Sequence, residues 1–194
     1  MEAQVREKIE AATRLKEKGN EAFKEAEYAA SAREYGEAMQ LLWSSAEDLG
    51  KRLSGGELSP EDAVRLSRVQ VDLDTLRVSL LLNQALVALK TEDFAAVLVH
   101  CSQVLAFQPA NVKALFRRGV AKARLGRLDE AKADLEKTVL LDPANFDARK
   151  ELASLRPKPP AKGAMADVSS YLSQCFGFCA GQPQRKPLIE LSRR

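Results

Sequence analysis

Two pairs of polar residues share a spacing that places each pair on one side of a helix. Lys16 and Asn20 are four residues apart, as are Lys113 and Arg117, and residues four apart are neighbours on an α-helix surface. Asn83 lies on a further predicted helix between them. Lys supplies an ammonium, Arg a planar fork of donors, and Asn an amide that donates or accepts. Gathered around one hollow, these groups would bind a pair of carboxylates through charge-assisted hydrogen bonds.

An internal repeat supplies the helices that carry these residues. Residues 78–111 and 112–145 align without a gap, and a period of 34 residues is typical of helix-turn-helix solenoids. An earlier copy is predicted at residues 12–45, with Gly19 at the position of Gly119. The pairs matched between the two adjacent copies are Phe94 and Leu128, Val97 and Ala131, Leu105 and Val139, Pro109 and Pro143, and Asn111 and Asn145. The predicted fold class is therefore all-α.

An insert of residues 46–77 separates the first copy from the second. Within it, Ser59 fits a helix N-cap, Pro60 suits the first helical position, and Asp62 completes a capping box. Apolar residues then continue at helical spacing into the second copy. The insert is predicted to lengthen two helices and not to form a domain of its own.

The end of the chain divides into two predicted parts. Residues 146–155 are predicted to form a capping helix that closes the repeat domain of residues 1–155. Residues 156–194 are predicted to be a linker and a mobile tail, because Pro157 and the prolines that follow it cannot continue a helix.

The composition excludes several classes of protein. A net charge of +3 over 194 residues is too balanced for a nucleic-acid binder that relies on bulk charge. No apolar run approaches the length of a membrane span, and residues 1–10 lack the apolar core of a signal peptide. The odd number of cysteines, 3, argues against a disulfide framework. We expect a cytoplasmic protein.

Some residues invite a chemical role but have simpler interpretations. His100 belongs to no Ser, Cys or Asp constellation of the kind that fixes a general base, so a surface or packing role is favoured over catalysis. Cys101 falls on an apolar stripe and is predicted to be buried. Cys175 and Cys179 are too few for a metal site, although lipidation or partner docking stays open. Trp43 is predicted to pack in the first hairpin. We predict no enzyme activity, metal or cofactor.

The repeat signature resembles the tetratricopeptide (TPR) family over residues 2–155. The residues that carry this resemblance are Gly19, Tyr28, Ala38, Pro109, Ala131 and Pro143. The segments closest to the large immunophilins and the aryl-hydrocarbon-receptor-interacting protein are LLLNQALVALK, VLVHCSQVL and NVKALFRRGVAKA. The resemblance implies a right-handed superhelix of three helix-turn-helix repeats followed by the capping helix.

The resemblance also implies a function for the polar residues. They look like the carboxylate clamp of co-chaperones, which binds the terminal Glu-Glu-Val-Asp of the seventy- and ninety-kilodalton heat-shock proteins. The matching positions are Lys16, Asn20, Asn83, Lys113 and Arg117, and Phe23 is expected to contact an apolar peptide side chain. The expected function is an adaptor, and a client protein is a further expected partner. The alternatives are the targeting part of an immunophilin-type prolyl isomerase whose catalytic domain is absent from this chain, and a scaffold for internal peptides.

Overall fold

The regular structure is helical throughout residues 2–54 and 59–155, which are the residues that the computed structural model describes. The helices are α1 (Glu2–Lys24), α2 (Tyr28–Ser54), α3 (Pro60–Lys90), α4 (Phe94–Phe107), α5 (Val112–Arg124), α6 (Leu128–Leu141) and α7 (Phe146–Ser154). This confirms the all-α prediction. The predicted linker, tail and cysteine pair Cys175 and Cys179 lie outside the described residues.

Consecutive helices pair into three hairpins. Helix α1 packs against α2, α3 against α4, and α5 against α6, while α2 and α4 join each hairpin to the next. The first helices also contact one another, α1 with α3 and α3 with α5. The stack is that of a TPR superhelix, in which the first helices form one continuous layer.

Each hairpin turns through a residue in the left-handed conformation. Ala26 has a φ of 61°, Glu92 of 59° and Gly126 of 77°. The three residues occupy the same place, directly after the first helix of each hairpin. Only the last is glycine, the residue that adopts this conformation without steric cost. The turn geometry is therefore repeated even where the residue type is not.

Two glycines allow the helices of a hairpin to approach closely. A Cβ atom at Gly19 would lie 2.5 Å from Cε1 of Tyr35, and one at Gly119 would lie 2.9 Å from Cγ of Leu135. Both distances are shorter than van der Waals contact allows. The equivalence of Gly19 and Gly119 in the sequence thus has a common cause, which is space for a large side chain of the second helix.

The insert lengthens α2 and α3. Helix α3 begins at Pro60, and the backbone N–H of Asp62 donates to Oγ of Ser59 at 3.1 Å. The added turns bury Leu49 of α2 and Leu73 of α3 in the same apolar cluster as the first hairpin. The extra length therefore enlarges an existing core.

The expectation that Trp43 packs inside the first hairpin is wrong. Its side chain is 62% exposed, and the guanidinium carbon of Arg77 lies 5.6 Å from its ring centroid. The buried stripe of α2 passes through Leu42 and Ser45. Trp43 falls one residue past that stripe, which turns it by roughly 100° around the helix axis.

A buried carboxylate connects the two helices of the third hairpin, α5 and α6. Asp134 on α6 is 6% exposed and accepts two hydrogen bonds from Arg118, both 2.8 Å long, and one from Nζ of Lys122 at 2.7 Å. Burial alone would raise the pKa of Asp134, but the hydrogen bonds and charges of Arg118 and Lys122 outweigh that effect and lower it. Hydrogen bonding to Asp134 also raises the pKa of Arg118.

Replacing Gly119 by alanine should lower the free energy of unfolding by about 1–3 kcal/mol, because the new methyl group would overpack against Leu135. The matched control is Gly36→Ala on α2, where nothing lies within 4 Å of the new Cβ. That change should stabilise the protein by about 0.5–1 kcal/mol through helix propensity. Urea unfolding measures both values, and a stabilised Gly119→Ala variant would contradict the close packing.

Asp134→Asn should lower the free energy of unfolding at pH 7 by about 2–3 kcal/mol, because it weakens three charge-assisted hydrogen bonds. The pKa of Asp134 is lowered in the fold, so the wild-type advantage is complete above the ordinary Asp pKa of about 3.9 and disappears as pH falls through the lowered value. Glu136→Gln, an exposed change on the same helix, should stay within about 0.5 kcal/mol. An advantage of equal size at pH 7 and pH 2 would refute this assignment.

Candidate functional site

The amide oxygen of Asn20 links three helices. Oδ1 of Asn20 on α1 accepts a hydrogen bond from the hydroxyl of Tyr35 on α2 at 2.7 Å. It accepts a second from Nδ2 of Asn83 on α3 at 3.0 Å. The two predicted amides are therefore in direct contact, although they are far apart in the sequence.

Arg117 reaches the same part of α3 from α5. Its guanidinium donates to the backbone carbonyl of Leu82 at 2.5 Å, the residue before Asn83. Burial lowers the pKa of Arg117, but an arginine side chain stays protonated in proteins. The bond to Leu82 uses one donor, and the remaining N–H groups of the planar fork stay available for another acceptor.

The cations of α5 divide into two groups. Arg118 and Lys122 bind Asp134, and Arg124 forms an ion pair with Glu151 at 3.3 Å. Within the described part of the chain, the other two, Lys113 and Arg117, have no carboxylate partner. Both are residues of the predicted site, and their positive charge is not neutralised by the fold.

Lys16 and Phe23 occupy the rest of the site on α1. Lys16 lies one turn before Asn20 and shares its side of the helix. Among the described residues it has no hydrogen-bond or ion-pair partner. Phe23 is half-buried against the first core cluster, and its ring centroid is 5.5 Å from that of Tyr28. Only the outer part of this ring is open to a ligand.

The sequence predicted the residue types at this site but missed two partners. The structure connects Asn20 with Asn83, and Arg117 with the residue next to Asn83. Helical spacing places Lys16 beside Asn20 and Lys113 beside Arg117. Phe23 packs mainly against the first core cluster. The missed groups are the hydroxyl of Tyr35 and the carbonyl of Leu82. The spacing of Tyr35 on the apolar stripe of α2 indicates packing alone, and a backbone carbonyl carries no signal in a sequence.

Burial controls the titration of the groups around the site. It raises the pKa of Tyr35, whose side chain is 2% exposed, so the hydroxyl keeps its proton at neutral pH and can donate. Burial also raises the pKa of Cys101 to about 11, which agrees with its predicted role as a small buried side chain. On α4, burial lowers the pKa of His100, against the opposing charge of Asp93.

Other kinds of site are absent from the residues that the structure describes. They contain no group of three or more His, Cys, Asp or Glu side chains that could hold a metal ion. No helix among them combines the length and hydropathy that a bilayer crossing requires.

Sequence comparison places the chain among known proteins. The family model described as Tetratricopeptide repeat matches residues 112–145. The chain is also 32% identical over 147 residues to peptidyl-prolyl cis-trans isomerase FKBP4 of Mus musculus. That match covers 76% of this chain but only 28% of the isomerase.

Solved structures give the same result for the fold. The C-terminal TPR-containing domain of a Plasmodium falciparum FK506-binding protein is 30% identical, with a TM-score of 0.63, and the match covers 78% of this chain and 89% of that one. The first TPR of Spaghetti (RPAP3), solved bound to the HSP90 peptide SRMEEVD, is 28% identical, with a TM-score of 0.55 and coverages of 75% and 90%. The chain therefore belongs to the tetratricopeptide repeat family.

Proposed function

We propose that this chain is a cytoplasmic co-chaperone adaptor that binds the acidic C-terminal tail of a seventy- or ninety-kilodalton heat-shock protein. The clamp consists of Lys16, Asn20, Asn83, Lys113 and Arg117. The observation that carries the proposal is the charge pattern of α5. The fold-stabilising cations of α5 are paired with carboxylates, whereas the two clamp cations on this helix, Lys113 and Arg117, have none among the described residues.

The donor set fits the end of a peptide that finishes in Asp. Such an end carries two carboxylates, one from the backbone and one from the side chain. Ammonium, guanidinium and amide groups on three adjoining helices can donate to both at once. A neutral or cationic peptide end would leave Lys113 and Arg117 unpaired, which is costly for Arg117 because its side chain is partly buried.

The comparisons support this choice of partner. The RPAP3 domain resembles this chain and was solved with an HSP90 peptide that ends in Glu-Glu-Val-Asp. Phe23 is proposed to contact the apolar residue before the terminal Asp through the exposed part of its ring. We further propose that a client protein binds elsewhere on the chain.

A second candidate function follows from the match to FKBP4. Since the chain spans 28% of that isomerase, it could serve as the targeting part of a larger immunophilin-type enzyme. In either case we propose that residues 1–155 carry no catalysis themselves. A prolyl isomerase assay on this chain is therefore expected to give the uncatalysed rate.

A peptide ending in Met-Glu-Glu-Val-Asp should bind with micromolar affinity, about −8 kcal/mol, and more weakly as ionic strength rises. Its C-terminally amidated form should bind at least about tenfold more weakly, because one charged acceptor is lost. Calorimetric titration of both peptides measures the difference. Equal affinities would instead favour a scaffold that binds internal peptides.

Lys113→Ala should weaken binding of the same peptide by about 10- to 100-fold, the equivalent of one or two charge-assisted hydrogen bonds. Thermal stability should not change, since Lys113 is exposed. The matched control is Lys132→Ala, which removes the same charge from an exposed position on α6 and should leave the affinity within about twofold. Equal losses in both variants would indicate a general charge effect and not a clamp.

A further inference from the structure

The hydrogen bonds at Asn20 restrict what this side chain can do for a ligand. An amide oxygen has two lone pairs. At Asn20 one is taken by the hydroxyl of Tyr35 and the other by the amide of Asn83. The oxygen is therefore fully used within the protein. Its NH2 group donates to no acceptor among the described residues, so this donor end remains for a ligand.

The hydroxyl of Tyr35 is held in place by the packing around it. The ring lies directly against Gly19, where a Cβ atom would come within 2.5 Å of Cε1. The backbone carbonyl of Gly19 also accepts a hydrogen bond from Oγ of Ser31 at 2.8 Å. Tyr35 thus approaches α1 at Gly19, the residue before Asn20. A rotation of its ring would disturb the packing against Gly19.

We propose that Tyr35 is a positioning residue that determines specificity, because it turns Asn20 into a group that only donates. This inference rests on the proposed function of the clamp. A free carboxylate only accepts hydrogen bonds, so it matches a donor-only Asn20. A terminal amide must also donate, and it finds no free lone pair on Asn20. Tyr35 therefore selects the free C-terminus against an amide without touching the peptide.

The test is Tyr35→Phe, which keeps the ring against Gly19 and removes only the hydroxyl. Affinities are measured for the Met-Glu-Glu-Val-Asp peptide as free acid and as amide, and the ratio of the two is the readout. The variant should reduce this ratio by about five- to tenfold, through weaker binding of the acid and unchanged or tighter binding of the amide. Tyr28→Phe, on the same helix, is the matched control, because the Tyr28 hydroxyl has no hydrogen-bond partner within residues 2–54 and 59–155; it should keep the wild-type ratio.

A second pair of variants separates positioning from packing. If Tyr35 acts through Asn20, adding Tyr35→Phe to Asn20→Ala should change the ratio less than about twofold, since the two effects are coupled. A ratio unchanged by Tyr35→Phe alone, or reduced equally in both backgrounds, would overturn the inference and leave the clamp intact. A wild-type protein that does not discriminate acid from amide would overturn the clamp and this inference together.

Discussion

The shared acceptor at Asn20 is the interaction on which both the fold and the candidate site depend. Through one oxygen it connects the first hairpin to the second, with α2 supplying Tyr35 and α3 supplying Asn83. The connection is possible because Gly19 lets the Tyr35 ring lie against α1. Breaking it would leave a half-buried amide without its partners, which is more costly than an exposed one. Packing and the proposed ligand recognition therefore both depend on the position of Asn20.

The positive charges of α5 also serve both the fold and the candidate site. This short helix carries cations for two purposes, and the carboxylates around it distinguish them. Asp134 is buried and holds Arg118 and Lys122 in place, so these residues contribute to the stability of the third hairpin. Arg117 turns instead toward α3. A positive surface can thus coexist with a stable repeat, because the stabilising ion pairs are formed away from it.

Much of the fold could be predicted because it depends on local signals. The cap at Ser59 has its cause within one turn of helix. The 34-residue period and the small residue at Gly119 follow from the packing of two helices within one hairpin. Trp43 was misplaced because one residue of helical phase separates a buried position from an exposed one. Helix phase near the insert could not be fixed to that accuracy from spacing alone.

The candidate site is proposed from residue types, and its contacts come from the structure. Spacing alone can place Lys16 and Lys113 on a helix face. It cannot predict the bond between Asn20 and Asn83, because that bond depends on how closely two helices of different repeats approach. Tyr35 has two roles, core packing and hydrogen bonding, and its apolar spacing indicates only the first.

The central claim is that a peptide carboxylate binds to the free N–H groups of Asn20 and Asn83. The most direct measurement is the NMR signal of the asparagine side-chain amides while the Met-Glu-Glu-Val-Asp peptide is added. Asn145 serves as the internal reference, since its side chain caps α7. We expect the Asn20 and Asn83 signals to shift in a saturable way while the Asn145 signal stays constant. Saturable binding without a shift at Asn20 and Asn83 would contradict it.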